Sequence, residues 1–178
     1  MMSLFESSWF QSFINMPWIS RIRRNHGLEH ATLHVLSKRF PKVSMAGHSD
    51  AGGFWILGNV SLEAVSESIE EALKRMRDGE HELAVHEHCG TNFVTAGVMA
   101  GLAAGGSMFG VGGRFRDKVE RLPLSIMLAT MALIFSHPLG LKFQEKVTTS
   151  GKPGDLEVVG IRASKRGRMN AYRVTTRG

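Results

Sequence analysis

Two long uncharged stretches in the second half of the chain constrain its fold more than any other feature. Between Glu87 and Arg114 there is no formally charged residue, and residues 93–111 are apolar or small. A second uncharged stretch covers residues 122–141. Each is close to the roughly 20 residues that a helix needs to cross about 30 Å of hydrocarbon. The pattern predicts a two-helix transmembrane hairpin, and a buried helical hairpin in a soluble core is the alternative.

Small residues and one histidine mark these predicted spans. Gly97, Gly101 and Gly105 recur every four residues, which predicts close approach of another helix, either the second span or a second copy of the chain. His137 stands near the end of the second span and is followed by a proline. A neutral histidine at the membrane interface is the simplest interpretation, and a ligand to haem or to a chlorophyll-like pigment is the alternative.

Two spans would place both termini on the same side of the membrane. The first 24 residues interleave aromatic and polar residues and end in arginines, which is typical of a helix in the headgroup plane rather than of a secretory signal. We therefore expect an integral protein of the bacterial inner membrane type, with the head and both termini in the cytoplasm. The basic linker between the spans opposes this orientation, because basic loops favour the cytoplasmic side.

The sequence divides into four segments. These are an interfacial amphipathic segment (1–24), an α+β head (25–90), a transmembrane helical hairpin (91–141, spans about 93–111 and 122–141) and a basic β tail packing on the head (142–178).

The predicted fold class is an α+β head plus a two-helix transmembrane hairpin and a C-terminal β-hairpin. Within the head the order is helix, β-hairpin, helix and strand. Asn25 is expected to cap the first helix, residues 81–88 to form the strand, and residues 165–167 to turn the final hairpin.

The tail is strongly basic. Its final part carries six basic residues and no carboxylate: Arg162, Lys165, Arg166, Arg168, Arg173 and Arg177. This predicts a basic face next to anionic lipid headgroups. Nucleic acid is not an expected partner, because this final part has a single aromatic residue, Tyr172, and therefore no stacking platform.

A helix containing three histidines is the main candidate site. In "RRNHGLEHATLHVL", residues 23–36, His26 and His30 are four residues apart and project from one helical face, and Glu29 could reach a water bound to a shared ion. An ordinary polar helix stripe is the alternative. A catalytic zinc needs a third protein ligand, which could be His86 or a glutamate of residues 63–71.

Four further residues are candidates for this site. His88, Cys89 and Asn92 follow His86 in the segment "GEHELAVHEHCGTN". A thiolate beside histidines can bind a metal, although Cys89 could equally pack at the membrane rim. His34 is the last candidate, but each step of four residues drifts about 40° around a helix, which argues against three helix histidines on one ion.

Two resemblances add to this interpretation. His-Gly-Leu-Glu-His resembles the HxxEH motif of the inverzincin metallopeptidases, which implies zinc on the two histidines and Glu29 as general base. Nearly the whole chain resembles a family of uncharacterised bacterial two-span membrane proteins, through its HxLEHA helix and CGTN turn. That resemblance implies membrane localisation and a meeting of His26, Glu29, His30, His86 and the turn at residues 89–92.

Three functions remain open from the sequence. The first is a membrane-anchored accessory or assembly protein with a structural metal site, whose partners are the lipid bilayer and other membrane subunits or a second copy. The alternatives are a membrane-bound zinc-dependent hydrolase or peptidase, with Glu29 as its catalytic residue, and a haem- or pigment-contacting subunit. Zinc is the one cofactor that the histidine spacing itself suggests.

Overall fold

The computed structural model describes residue 5 and residues 7–178, which form two compact units. Unit 1 contains the described residues of Met1–His86 together with Glu145–Gly178. Unit 2 is Glu87–Gln144. Unit 2 is therefore an insertion within unit 1 along the chain. The part of the predicted interfacial segment at residues 1–4 and 6 lies outside the described residues.

The described part of unit 1 includes three α-helices and a short 3₁₀ helix. They are α1 (Ser8–Ile14), α2 (Pro17–Arg39), α3 (Leu62–Arg77) and the 3₁₀ helix His81–Ala84. Helix α2 begins at Pro17, where the missing N–H of proline costs nothing because the first helical N–H groups have no intrahelical partner. The prediction that Asn25 caps this helix is wrong, since Asn25 lies two turns inside it.

The strands of unit 1 form one antiparallel sheet. The strands are β1 (Ala46–Asp50), β2 (Gly53–Leu57), β3 (Glu157–Arg166) and β4 (Met169–Arg177), in the order β1-β2-β4-β3. Both predicted hairpins are confirmed. The second turns at Gly167, whose φ of 62° favours glycine. Leu57 pairs with Ala171, so residues far apart in sequence meet in the centre of the sheet.

Helix α2 packs against α3 and the first hairpin and carries much of the core. A Cβ atom at Gly27 would collide with the carbonyl oxygen of Ser150, so only glycine allows this approach. Asn25 is fully buried; its Nδ2 donates to the carbonyl of Asp50 (2.8 Å), and its Oδ1 accepts from the hydroxyl of Thr176 (2.7 Å). One side chain therefore ties α2 to β1 and β4.

The strand predicted at residues 81–88 is wrong. Residues 81–84 form the 3₁₀ helix, and residues 85–86 continue as non-helical backbone. The carbonyl groups of Ala84 and Val85 are bonded to histidine rings of α2 instead of to a neighbouring strand. Side-chain hydrogen bonds thus replace the ladder that a strand would need.

Unit 2 is a pair of helices, α4 (Gly90–Ser107) and α5 (Phe115–Phe143), followed by a π-helical turn at Gln144–Thr148 that continues into unit 1. The residues that unit 2 buries besides Cys89 are small or polar: Asn92, Ser125, Ser136, Gly140 and Gln144. Side-chain bonds link the two helical segments. Gln144 Nε2 donates to Asn92 Oδ1 (2.6 Å), and Ser125 Oγ donates to the carbonyl of Ala104 (3.3 Å).

Among the described residues, one helix is long and apolar enough to cross a membrane by length and composition, Phe115–Thr148. Only 11% of its apolar window is buried inside the chain. Helix α4 has 18 residues, many of them glycine, and it does not meet the same criterion. The structure therefore gives one candidate span, and the predicted two-span hairpin is not confirmed.

The glycine stripe of α4 faces away from α5. Gly97, Gly101 and Gly105 are exposed, and no described atom of the chain would lie within 4 Å of a Cβ atom at any of them. The close approach to α5 occurs instead at Gly140, where a Cβ atom would lie 2.7 Å from Oδ1 of Asn92. Docking of a second copy or of another subunit on the stripe stays a prediction.

Candidate metal centre

Three histidines of α2 lie on the side of the helix that faces the 3₁₀ helix and residues 85–86. The ring centroids of His26 and His30 are 4.4 Å apart, at an interplanar angle of 63°. A ligand nitrogen of one ring lies within 4.8 Å of a ligand nitrogen of the other. The predicted meeting of these two rings is therefore present, as expected for residues one helical turn apart.

His86 reaches the same face from the segment that follows the 3₁₀ helix. Its ring centroid lies 5.6 Å from that of His30 and 4.9 Å from that of His34. The four imidazoles form a row in the order His26, His30, His86, His34, which we call the histidine row. Sequence reasoning set His34 aside because of the helical drift, but a ring from another segment fills the gap that this drift opens.

Main-chain carbonyl groups orient three of the four rings. His26 Nδ1 donates to the carbonyl of Thr148 (3.0 Å), His30 Nδ1 to that of Ala84 (2.8 Å) and His34 Nε2 to that of Val85 (2.9 Å). A carbonyl oxygen can only accept, so the ring nitrogen facing it must carry the hydrogen. In the neutral imidazole the lone pair then lies on Nε2 of His26 and His30 and on Nδ1 of His34.

This arrangement is the one that metal-binding histidines use. A ligand imidazole donates its second N–H to a carbonyl or carboxylate, which fixes the tautomer and the ring orientation. Zinc binds imidazole nitrogen at about 2.0–2.1 Å, so two tetrahedral ligands must approach to roughly 3.4 Å of each other. The ligand nitrogens of His26 and His30 already lie within 4.8 Å of each other. Small rotations of the two rings would bring them to the separation that zinc requires.

Glu29 lies beside the histidine row in sequence but is deeply packed. Its side chain is 4% exposed, and a Cβ atom at Gly47 of β1 would collide with its Oε1. The carboxylate therefore packs against β1, whereas His30 faces the 3₁₀ helix. The structure brings Glu29 into the core of unit 1 next to the first hairpin.

The segment after the π-helical turn is held on α2 by an arginine. One nitrogen of Arg23, Nη2, donates to the carbonyls of Lys146 (3.2 Å) and Thr149 (3.0 Å). Burial lowers the pKa of the Arg23 guanidinium from its ordinary value. These bonds fix residues 146–149 and so position the Thr148 carbonyl that orients His26.

The remaining histidine, asparagine and cysteine candidates belong to unit 2. In unit 2, His88 and His137 are exposed, Asn92 is buried between the helical segments, and Cys89 precedes α4, its Sγ accepting from the N–H of Thr91 (3.4 Å). The part that Cys89 plays at a metal stays a prediction. The carboxylate alternatives for the third ligand are less favoured, because Glu67 and Glu71 of α3 form ion pairs with Arg39 of α2.

The groups that sequence reasoning missed are the main-chain acceptors at Ala84, Val85 and Thr148. A carbonyl has no sequence signature, so no pattern could have identified them. The only available signal was the local spacing of His81 and His86 around an apolar turn, which also fits a short helix.

Comparisons with known proteins give a family and no chemistry. Residues 21–161 match the family model described as "Domain of unknown function (DUF6391)". An uncharacterized protein of Picosynechococcus sp. is 32% identical over 139 residues, which are 72% of this chain and 66% of that protein, just under two thirds of its length. No solved structure matches the chain.

Proposed function

The chain belongs to the DUF6391 family, and from its own residues we propose that it is a membrane-anchored accessory or assembly protein whose unit 1 contains a structural metal site. The expected membership in an uncharacterised family with a bacterial relative is confirmed. The proposed ligands are His26, His30 and His86, with His34 as a further candidate. Zinc is the proposed ion, since imidazole nitrogen is one of its usual ligands.

The observation that carries the metal proposal is the set of main-chain bonds to the histidine row. Three rings donate N–H to three carbonyls that come from two separate segments, residues 84–85 and 148. These bonds satisfy main-chain carbonyl groups whether or not an ion is bound. With an ion, each bond pre-orients a ligand and lowers the cost of binding.

The burial of His30 and Glu29 favours a structural role over a hydrolytic one. A catalytic zinc keeps an open position for water and substrate, whereas a structural zinc is closed by four protein ligands. His30 is 2% exposed, and the Glu29 carboxylate packs against β1. The HxxEH spacing alone is the support for the hydrolase alternative, and it does not supply substrate access.

The polarity of unit 2 supports membrane anchoring. Its helices bury polar side chains such as Asn92 and Ser125 and expose large apolar ones such as Ile134 and Phe135. In a bilayer this is the expected arrangement, because polar groups must be satisfied inside the bundle and apolar groups face lipid. The uncharged part of α5, residues 122–141, would span about 30 Å as a helix.

We extend the proposal to the finer topology. Helix α4 would accompany α5 in the bilayer as the second arm of a hairpin, with unit 1 in the cytoplasm of a bacterial cell. Reporter fusions after Gly178 and within residues 108–114 should then report opposite sides of the membrane. A single side for both fusions would contradict the two-span topology.

Elemental analysis tests the metal site. The full chain, purified in detergent without chelators after growth with zinc, should hold about one zinc ion. His30→Ala should lose it. His81→Ala is the matched control, because His81 also bonds a main-chain carbonyl, that of Gly151 (2.8 Å), but stands outside the histidine row. A metal-free wild type, or equal loss in both variants, would overturn the proposal.

Glu29→Gln distinguishes the structural role from the hydrolase. In the structural case the variant keeps its zinc and melts at a lower temperature, because a buried carboxylate contact is changed. In the hydrolase case it keeps both zinc and stability but loses turnover, since the general base is gone. A wild-type hydrolytic activity that this single change abolishes would replace the accessory function with the enzymatic one.

A further inference from the structure

One face of the sheet in unit 1 carries an aromatic ring between two guanidinium groups. The Cζ atom of Arg166 lies 4.7 Å from the ring centroid of Trp55, and that of Arg173 lies 5.6 Å from it. Both distances are within the range of cation–π attraction. The core side of the same strands carries Phe54, Ile56 and Val174, so the Trp55 side is the outer face.

The strand register extends this arrangement into a row. Trp55 pairs with Arg173, and Arg173 pairs with Arg162 on β3. We call the surface formed by Trp55, Arg162, Arg166 and Arg173 the basic sheet face. Asp50 neutralises one of its charges, because both of its oxygens accept from Arg173 (2.8 Å each). Arg162 and Arg166 remain exposed.

The end of this hairpin projects beyond the core. Residues 162–169 are exposed on both faces of the hairpin, and they add Lys165 and Arg168 at the turn. The sequence has no carboxylate after Glu157. No acidic side chain in this part of the sequence neutralises the positive charge of the projecting end. This end can therefore face a negatively charged surface.

We propose that the basic sheet face docks on the anionic lipid headgroups of the bilayer to which unit 2 anchors the chain. The proposal rests on the membrane anchoring proposed above. Arginine beside tryptophan suits the headgroup region, where basic side chains meet lipid phosphate and an amphipathic ring meets the interface. Charge complementarity is the argument for the partner.

Single-stranded nucleic acid fits this surface less well than lipid. Its binding needs successive aromatic rings on which bases stack. Tyr172 is buried, and its hydroxyl donates to the carbonyl of Val60 (2.5 Å), so it offers no stacking surface. Trp55 already lies against two guanidinium groups. The face therefore provides charge but no series of stacking rings.

The test uses the full chain in lipid nanodiscs with an environment-sensitive fluorophore at Met169→Cys. Met169 is exposed and pairs with Arg166, whereas the natural Cys89 is buried, so wild-type chain measures background labelling. Discs with phosphatidylglycerol should give blue-shifted emission that high salt reverses, and discs of phosphatidylcholine alone should not. Arg162→Gln with Arg166→Gln should weaken docking by about fivefold per charge.

The control removes the same charge elsewhere. Arg114→Gln with Arg116→Gln changes two exposed arginines of unit 2 and should leave the emission unchanged. Equal emission in both disc types, or equal effects of the two double variants, would overturn docking on lipid. If added single-stranded oligonucleotide shifts the emission in phosphatidylcholine discs, nucleic acid would replace lipid as the partner of this face. Failure of the chain to enter discs would instead refute the membrane anchoring.

Discussion

In unit 1 the least exposed side chains are mostly apolar, such as Phe54 and Ile56, whereas in unit 2 they include Asn92, Ser125 and Gln144. The outer surfaces differ in the opposite sense. Unit 2 exposes Ile134 and Phe135 on α5, and unit 1 places arginines on the outer face of its sheet. Unit 1 therefore buries mainly apolar side chains, whereas unit 2 buries polar side chains and exposes apolar ones.

The difference implies two sources of stability. Unit 1 is held by removal of apolar surface from water, the dominant favourable term in aqueous folding. In the bilayer proposed for unit 2 that term would be weak, because lipid solvates the same apolar groups, and close packing and interhelical hydrogen bonds would hold the helices together. The same kind of substitution should therefore have different effects in the two units.

The largest expected effect comes from a charge placed on each outer surface. Ile134→Lys puts a charge near the centre of the candidate span and should cost about 2.5–3.5 kcal/mol of insertion free energy, on the order of 100-fold in the inserted fraction. Val159→Lys is the matched control in unit 1, since the wild-type side chains are 62% and 60% exposed. Carbonate-resistant membrane fractions measure both. Equal effects would remove the distinction between the units.

A buried amide in each unit gives the next effect. Asn25→Ala leaves the partners at Asp50 and Thr176 unsatisfied in unit 1 and should lower the free energy of unfolding by about 1–3 kcal/mol. Asn92→Ala breaks its bonds to Gln144 and the Glu87 carbonyl and should cost about 0.6 kcal/mol, as is usual between membrane helices.

Tryptophan fluorescence and far-UV circular dichroism separate these two amide variants. All three tryptophans, at positions 9, 18 and 55, belong to unit 1, so fluorescence melts report on unit 1 alone. Circular dichroism reports on both units. A larger loss for Asn92→Ala than for Asn25→Ala would mean that unit 2 is stabilised like a water-exposed domain.

The smallest effect concerns pH. The guanidinium of Arg173 holds the pKa of the Asp50 carboxyl below its ordinary value. Because the folded-state pKa is lowered, the ion pair stabilises unit 1 above the unfolded pKa of about 3.9, and this contribution is lost as pH falls through the folded pKa. Asp50 is partly exposed, so solvent screening keeps the contribution of this ion pair to stability below about 1 kcal/mol.

Asp50→Asn should therefore reduce the difference between the melting temperatures that tryptophan fluorescence gives at neutral and at acidic pH. The uncharged helical stretch of unit 2 at residues 122–141 has no acidic group that could respond in this way. An unchanged pH dependence in Asp50→Asn would show that the pair with Arg173 contributes nothing.

Local patterns predicted the parts of the fold that local residues determine. Both hairpins follow from alternating residues around a glycine turn, and α3 follows from its Ser61 cap, whose Oγ accepts from the N–H of Ala64 (3.1 Å). Asn25 misled the helix prediction because asparagine favours caps, while tertiary bonds to Asp50 and Thr176 held it inside α2 instead. No local sequence pattern indicates that the two hairpins join through pairing of β2 with β4.

The site was predictable in composition and not in geometry. Helical spacing places His26 and His30 together, and the proximity of His86 was expected from the resemblance. The position of His34 beside His86 depends on the path of residues 84–86, which side-chain bonds to their carbonyls define. Such a path results from tertiary contacts, so periodicity could not predict it.

The pairing of β2 with β4 has a consequence for synthesis of the chain on the ribosome. Leu57 must wait for Ala171, 114 residues later, before its strand gains this neighbour. At about 5–20 residues per second, translation leaves the β2 edge unpaired for roughly 6–23 s. The whole of unit 2 emerges during that interval. If unit 2 enters the membrane as proposed, its delivery would precede completion of the sheet. A chaperone that shields a nascent strand edge would have its longest period of action at β2.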